Sequence, residues 1–288
     1  MRARPASFAQ RVLLALALAL ALAAPAAASL PRAANVPGGV ARVALGALVS
    51  DAERPRAWLG EHEVLVAADG DEWVALVGLA LDTPVAMHEL RVVDASGLQR
   101  SVRFPVVAKR YPEQRITLKD TGKVQLSASD LARVEAEMKT IQVLKRHWRS
   151  VSDTDTDFAL PAEGRLTGRF GVRRYFNGEA RSPHAGFDIA VPTGSPVKAN
   201  ARGTVLATGE FFFNGKTVFI DHGNGLLSMY CHLERLDVSP GDPVNKRQVI
   251  GRSGMTGRAT GPHLHWSVIL NGAMVDPWLF VSTDRRTP

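Results

Sequence analysis

The segment from Gly203 to Leu233 alternates apolar runs of strand length with glycine-containing turns, and this pattern constrains the fold more than any other feature. Asn-Gly stands at positions 214 and 215, and HGNG follows at positions 222 to 225. Asn-Gly favours the tight turns that join neighbouring antiparallel strands. No helix of ordinary length is evident after about residue 159. We therefore predict an antiparallel β domain over residues 159–282.

The 288-residue chain has room for about two domains, and a second strand-and-turn pattern comes first. Apolar runs such as EWVALVGLAL and AMHELRVV, separated by Asp-Gly and Ser-Gly turns, predict a small antiparallel, β-sandwich-like domain over residues 29–110. Residues 111–158 are predicted to be a helical linker. The apolar residues of its helix recur at three- and four-residue spacing: Leu131, Val134, Met138, Ile141, Leu144 and Trp148. Ser127 and Asp130 supply a start signal for this helix. The predicted fold class is thus mainly β.

Residues 1–28 have the pattern of a secretory signal peptide, with three arginines, a short apolar run and a small-residue end. The alternative is a membrane anchor, but the run is shorter than the roughly 20 apolar residues needed to span a bilayer. Cleavage leaves 32 basic against 28 acidic residues, a formal charge of +4, which is compatible with an anionic partner in the cell envelope. Without a basic cluster interleaved with aromatics, nucleic acid is not an expected partner. No stable membrane insertion is expected after cleavage.

Imidazole and carboxylate side chains accumulate in the second domain at spacings that suit a metal. His184 and Asp188 are four residues apart, His263 and His265 are two apart, and His232 ends a predicted strand. Even spacing places side chains on one face of a strand. With Cys231 as the single cysteine, neither an intramolecular disulfide nor a thiolate-rich structural zinc site is possible. Three His/Asp ligands with an open fourth position favour hydrolysis. Each pair alone is a weak signal, since many strands carry two histidines.

Four segments combine these residues with glycine-rich turns: HAGFDIAVPTGSPVKANARGTV, FIDHGNGLLSMYCHL, VSPGDPV and IGRSGMTGRATGPHLHWSV. In order and spacing they resemble the lysostaphin-type, LytM-like zinc endopeptidases, which cleave peptide bonds in peptidoglycan cross-bridges. The resemblance implies one zinc per chain, held by His184, Asp188 and His265. It also implies that His232 and His263 are catalytic without binding the metal, and it leaves open which of them is the general base.

The Gram-negative members provide further expectations. VPGGVARVALG, residues 36 to 46, resembles part of the β domain that precedes their catalytic unit. The resemblance implies a periplasmic enzyme that cuts bonds between D-alanine and meso-diaminopimelate. RFGVRRYFNG, residues 169 to 178, resembles a loop that borders their groove, so Arg173, Arg174 and Asn177 are candidates for substrate contact. Solvated loop charges are the alternative interpretation. Asn177 is the one that we assign to substrate binding.

Three histidines are set apart from the proposed chemistry. His222 lies in the HGNG turn, outside the ligand and catalytic positions, and is interpreted as structural. The isolated His62 and His88 are interpreted as sheet-surface residues. The family usually has glycine in the turn after GDPV, where this chain has Arg247, so that turn is expected either to differ in shape or to tolerate a side chain.

Two rival functions remain open at this point. Some relatives have lost metal ligands and activate separate cell-wall amidases through protein contacts, and a wall-binding module is a third possibility. All five proposed positions are filled here, which favours an enzyme. The identity of any protein regulator is unknown. A further hypothesis is that the helix and the first domain cover the groove until they are displaced.

Overall fold

A computed structural model describes residues 29–50, 54–117 and 126–282. The predicted signal peptide lies outside these residues. The prediction of a mainly β protein with antiparallel sheets is confirmed. The strands of the first part are β1 Val40–Ala47, β2 Arg56–Leu59, β3 His62–Asp69, β4 Glu72–Gly78, β5 Met87–Val93, β6 Gln99–Pro105 and β7 Glu113–Ile116. The later strands are β8 Arg165–Gly168, β9 Arg173–Phe176, β10 Glu179–Arg181, β11 Phe187–Ala190, β12 Pro196–Lys198, β13 Gly203–Phe211, β14 Gly215–Gly223, β15 Leu226–Leu236, β16 Pro243–Val244, β17 Val249–Ser253, β18 Leu264–Leu270 and β19 Ala273–Val275.

The first domain is one antiparallel sheet in the order β1-β4-β3-β2-β5-β6. All six strands contribute side chains to a single core, which includes Val43, Trp73 and Leu90. The side chain of Arg100 on β6 donates to the carbonyl of Leu45 on β1, so the two edge strands approach each other. The sheet therefore curves around its own core. Among the described residues, this core is enclosed by one sheet instead of two.

The second domain is built on a ten-stranded sheet whose main path runs β16-β13-β14-β15-β18-β11-β8. Residues directly opposite each other on neighbouring strands share a face. Tyr230 is paired with Trp266, and both are fully buried on what we call the core face. His265 is paired with both Asp188 and Cys231 on the opposite side, which we call the site face. Along these three strands, alternate side chains therefore point toward the hydrophobic core and toward the candidate site.

The predicted helix, α1, spans Ala128–Lys145. Its N-cap is Ser127, whose hydroxyl accepts from the Asp130 amide at 3.1 Å. Ile141 and Leu144 pack against buried residues of the site face, among them Leu227 and Ile269. The predicted apolar stripe is only partly buried, because the helix lies on an open sheet surface instead of inside a core. Its members Leu131 and Met138 are 48% and 54% exposed.

The segment interpreted as a helical linker also contains strand β7, which was not expected from the sequence. β7 pairs in parallel with β9, and β9 pairs with β10, so the three form a small separate sheet. Arg115 of β7 stacks over the Tyr175 ring at 4.4 Å. This pairing joins residues about sixty positions apart in sequence, and no local sequence pattern predicts it. The linker thereby adds a strand to the hairpin that borders the predicted groove.

The two domains share buried structure. One hydrophobic cluster contains Leu65 and Leu76 of the first domain together with Val268 and Leu270 of the second. The side-chain amide of Asn271 accepts from the Gly78 amide at 2.6 Å and donates to the Gly78 carbonyl at 3.1 Å. No helix among the described residues has the length and apolarity to cross a membrane.

Candidate metal centre

Three of the predicted site residues meet at one point on the site face. Asp188 on β11 lies directly opposite His265 on β18, and His184 reaches them from the loop before β11. His184 Nε2 is 3.0 Å from Asp188 Oδ1 and 3.1 Å from His265 Nδ1, and His265 Nδ1 is 2.9 Å from Asp188 Oδ1. Three donor atoms so close together form the kind of cluster that binds a divalent metal.

The outer nitrogen of each histidine ring is fixed by a neighbour. His184 Nδ1 donates to the Arg169 carbonyl at 2.9 Å, and because a carbonyl oxygen can only accept, Nε2 keeps its lone pair for the centre. His265 Nε2 lies 2.9 Å from the hydroxyl of the fully buried Ser267, which can accept its proton and leave Nδ1 free to bind. Such outer hydrogen bonds orient a metal ligand and raise its basicity.

The electrostatics favour the protonation states that a metal requires. Burial lowers the pKa of His265, which keeps the ring neutral. Burial opposes ionisation of Asp188, but the adjoining His184 and His265 rings outweigh it and hold the pKa of that carboxyl well below its usual range. A neutral His265 imidazole and an ionised Asp188 carboxylate are therefore in place at neutral pH.

Two glycines allow the close approach of the surrounding backbone. Gly168 on β8 lies opposite Asp188, and a Cβ placed on it would stand 2.1 Å from Asp188 Oδ2. A Cβ on Gly186 would stand 2.6 Å from Ser267 Oγ and 2.7 Å from His265 Cε1. Any larger residue at these two positions would push directly on the donor set.

The remaining two predicted histidines lie beside this cluster. His232 occupies a bulge of β15, where Cys231 and His232 together oppose Thr217, and it adopts a left-handed φ of 62°. A bulge re-aims the side chain that it carries. The His232 ring consequently faces His263 on the site face, with ring centroids 4.7 Å apart.

Both of these rings keep one nitrogen available. His232 Nδ1 donates to the Thr256 carbonyl at 2.9 Å, and His263 Nδ1 donates to the Gly261 carbonyl at 2.8 Å. In the neutral form of each ring, Nε2 then carries the lone pair. His263 Nε2 lies 3.8 Å from Asp188 Oδ1, next to the donor cluster but outside it. Burial lowers the pKa of His232 to about 4, so that ring is neutral at pH 7.

The other residues singled out in the sequence have different surroundings. Asn177 is exposed at the turn between β9 and β10, where it adopts a left-handed φ of 51°. His222 is buried near the end of β14. Its ring nitrogens are hydrogen-bonded to the Arg202 carbonyl at 2.7 Å and to the Ser228 hydroxyl at 2.8 Å. Arg247 has a φ of 70°, which explains why glycine suits this position. The turn keeps the shape that glycine favours and tolerates the side chain.

Comparison with known proteins agrees with this architecture. The description "Peptidase family M23" matches residues 182–277, and "Peptidase family M23 N-terminal domain" matches residues 33–109. A crystal structure from Pseudomonas aeruginosa, assigned to peptidase M23, superposes with a TM-score of 0.71 at 38% identity and covers 86% of this chain and 95% of that one. The chain belongs to peptidase family M23.

Two relatives of this M23 chain have named activities. Peptidoglycan DD-endopeptidase ShyA of Vibrio cholerae serotype O1 is 33% identical over 202 residues, which is 68% of this chain and 46% of ShyA. DD-carboxypeptidase/endopeptidase Mpg of Neisseria meningitidis serogroup B is 39% identical over 124 residues, which is 43% of this chain and 28% of Mpg. The chain thus spans less than half the length of either relative.

Several residues that shape the M23 site were missed in the sequence. Ser267 was detectable, because it continues the alternation of His263 and His265 by two more residues. The carbonyls of Arg169, Thr256 and Gly261 carry no side-chain signal at all. Their roles follow from backbone position, which only the folded chain reveals.

Proposed function

We propose that this M23 chain is a periplasmic zinc endopeptidase that hydrolyses peptide cross-links of peptidoglycan, between D-alanine and meso-diaminopimelate. The observation that carries the proposal is the convergence of His184, Asp188 and His265 with two further histidines on one sheet face. The names of the relatives ShyA and Mpg support the substrate class. The signal-peptide pattern of residues 1–28 supports action outside the cytoplasm.

The donor set fits zinc. One carboxylate oxygen and two imidazole nitrogens lie 2.9 to 3.1 Å apart. Zinc–nitrogen and zinc–oxygen bonds of about 2.0 to 2.2 Å in a tetrahedron bring ligand atoms to a similar separation. Three protein ligands leave the fourth position for water or substrate, as in catalytic sites. Zinc, when bound, supplies a Lewis acid for the scissile carbonyl and acidifies water at neutral pH.

His232 and His263 handle the proton in this proposal. Hydrolysis requires a group that accepts a proton from the attacking water and returns one to the leaving amine. In their neutral forms both rings carry the lone pair on Nε2, since each Nδ1 proton is held by a backbone carbonyl. The bulge at His232 turns its ring toward the site face. The two imidazoles together also supply hydrogen bonds to the oxygen on which charge develops.

The test separates metal binding from catalysis. Purified residues 29–288 should bind one zinc per chain and release cross-linked peptides from sacculi, and a chelator should abolish the release. His265→Ala should lose the metal, whereas His263→Ala should keep it and lose most activity. Mass spectrometry of the products identifies the bond that is cut. Normal cleavage by both variants would contradict the assignment, and zinc binding without cleavage would favour an amidase-activating regulator.

A further inference from the structure

Three arginines gather beside the candidate metal centre. Arg174 on β9 and Arg181 on β10 are directly opposite each other in the hairpin register, so their side chains share a face. Arg174 Nη2 lies 3.6 Å from Asp188 Oδ2. Arg258 comes from the loop between β17 and β18, where its guanidinium stacks over the Phe213 ring at 4.0 Å. The hairpin and the loop thus bring positive charge to one side of the site.

The surrounding acids do not balance this charge. Arg181 pairs with Glu179 at 2.7 Å, but the Glu179 side chain is 71% exposed, and such pairs are weak in water. Asp188, the partner of Arg174, belongs to the metal-binding set. Burial lowers the pKa of Arg258, and the charges of Arg181 and Arg174 lower it further. Like charges directly opposite each other on two strands are destabilising, so an anion between them would relieve a real cost.

One donor in this group is also unsatisfied. Arg181 Nε is buried and makes no hydrogen bond to any described residue. A buried donor without a partner is costly, and native structures contain few of them. A guanidinium that turns toward a ligand oxygen would satisfy this donor. Guanidinium groups match the planar geometry of a carboxylate, with which they form paired, charge-assisted hydrogen bonds.

We propose that Arg174, Arg181 and Arg258 form a subsite for the free carboxylate on the carbon next to the scissile nitrogen. The inference rests on the proposed function. In a bond between D-alanine and diaminopimelate, the nitrogen is attached to a carbon that bears a free carboxylate, whereas the internal residues of a glycine bridge carry none. The subsite therefore selects substrates with a carboxylate on the leaving side.

The same hairpin provides a matched control. Arg173 is the sequence neighbour of Arg174, and alternation places its side chain on the other face of β9. There it lies opposite Glu113 of β7, with Nη1 3.8 Å from the carboxylate. Replacement of Arg173 removes the same charge from the same strand without touching the proposed subsite.

The experiment compares two purified cross-linked muropeptide dimers, in which the diaminopimelate carboxyl next to the scissile nitrogen is either free or amidated. The zinc-loaded protein should cleave the free form with a kcat/KM about 10- to 100-fold higher, the range expected for charge-assisted hydrogen bonds. Arg174→Ala should lose this preference and cleave the two dimers with similar kcat/KM values. Arg174→Lys should recover part of it, and Arg173→Ala should retain all of it.

The outcomes separate the inference from the proposed function. Equal rates of the unmodified protein on both dimers would overturn the carboxylate subsite while leaving the endopeptidase activity standing. An equal loss on both dimers in Arg174→Ala would also overturn it, because the residue would then act only on the structure of the site. Failure to cleave either dimer would remove the proposed function and the inference with it.

Discussion

Replacing Ser267 with alanine tests whether the outer hydrogen bond of His265, a proposed metal ligand, matters in this site. Ser267 Oγ is 2.9 Å from His265 Nε2, and the residue is fully buried on β18. Alanine removes the hydroxyl and leaves the imidazole proton without a partner. Metal binding through Nδ1 requires that proton to stay on Nε2, so the lost hydrogen bond weakens the bound state most.

The magnitude follows from this geometry. Removing an outer partner of a metal-ligating histidine typically costs about 10- to 100-fold in metal affinity. That corresponds to about 1.4 to 2.8 kcal/mol, within the range for a buried donor left unsatisfied. No ligand atom is deleted in Ser267→Ala, so binding should weaken without being abolished.

Zinc affinity is measured by competition with a chelating dye, and Ser228→Ala is the matched control. Ser228 is also fully buried in a strand of the same sheet, and its hydroxyl is bonded to a histidine, His222, at 2.8 Å. It lies on the core face, so the control should lose stability and keep its zinc affinity. An unchanged affinity in Ser267→Ala, or an equal loss in the control, would refute the argument.

Three further changes have defined outcomes. Arg247→Gly should raise the free energy of unfolding by about 0.5 to 1 kcal/mol in denaturant titrations, since the left-handed backbone that strains arginine suits glycine; lower stability would contradict this. Burial lowers the pKa of His222 to about 4, from about 6.5 in the unfolded chain. The neutral ring therefore contributes on the order of 3 kcal/mol to the free energy of unfolding above pH 6.5, and this contribution is lost as the pH falls to 4. His222→Gln should flatten that part of the stability profile, and an unchanged slope would exclude His222 as the cause. Gly186→Ala should reduce zinc affinity because its methyl meets His265, whereas Gly261→Ala, with open space around the added carbon, should retain it; equal affinities would show that the backbone shifts freely.

Local patterns account for most of what the sequence predicted. Alternation placed His263 and His265 on one face, and Asn224-Gly225 forms the predicted tight turn with φ values of 50° and 72°. Helix α1 begins at the predicted serine cap because the Ser127 hydroxyl binds an amide of the first turn. These features depend on a few neighbouring residues, so the chain itself encodes them.

Features that depend on distant partners escaped prediction. β7 is a strand because β9 lies beside it in space, and its four residues alone have no distinctive pattern. Gly168 and Gly186 look like ordinary loop or strand-end glycines until Asp188 and His265 are seen against them. The bulge at His232 was hidden because a regular strand would direct that side chain toward the core face.

The paired hydrogen bonds between Asn271 and Gly78 bear on the role of the first domain. One side-chain amide reproduces both hydrogen bonds of a backbone pair, and Leu76 and Leu270 lie in the same hydrophobic cluster. The two parts therefore constitute one cooperative unit, which should melt in a single transition. We expect a protease cut between them to destabilise the peptidase half, since it would expose an apolar surface. The first domain would then act as a folding partner carried within the same chain.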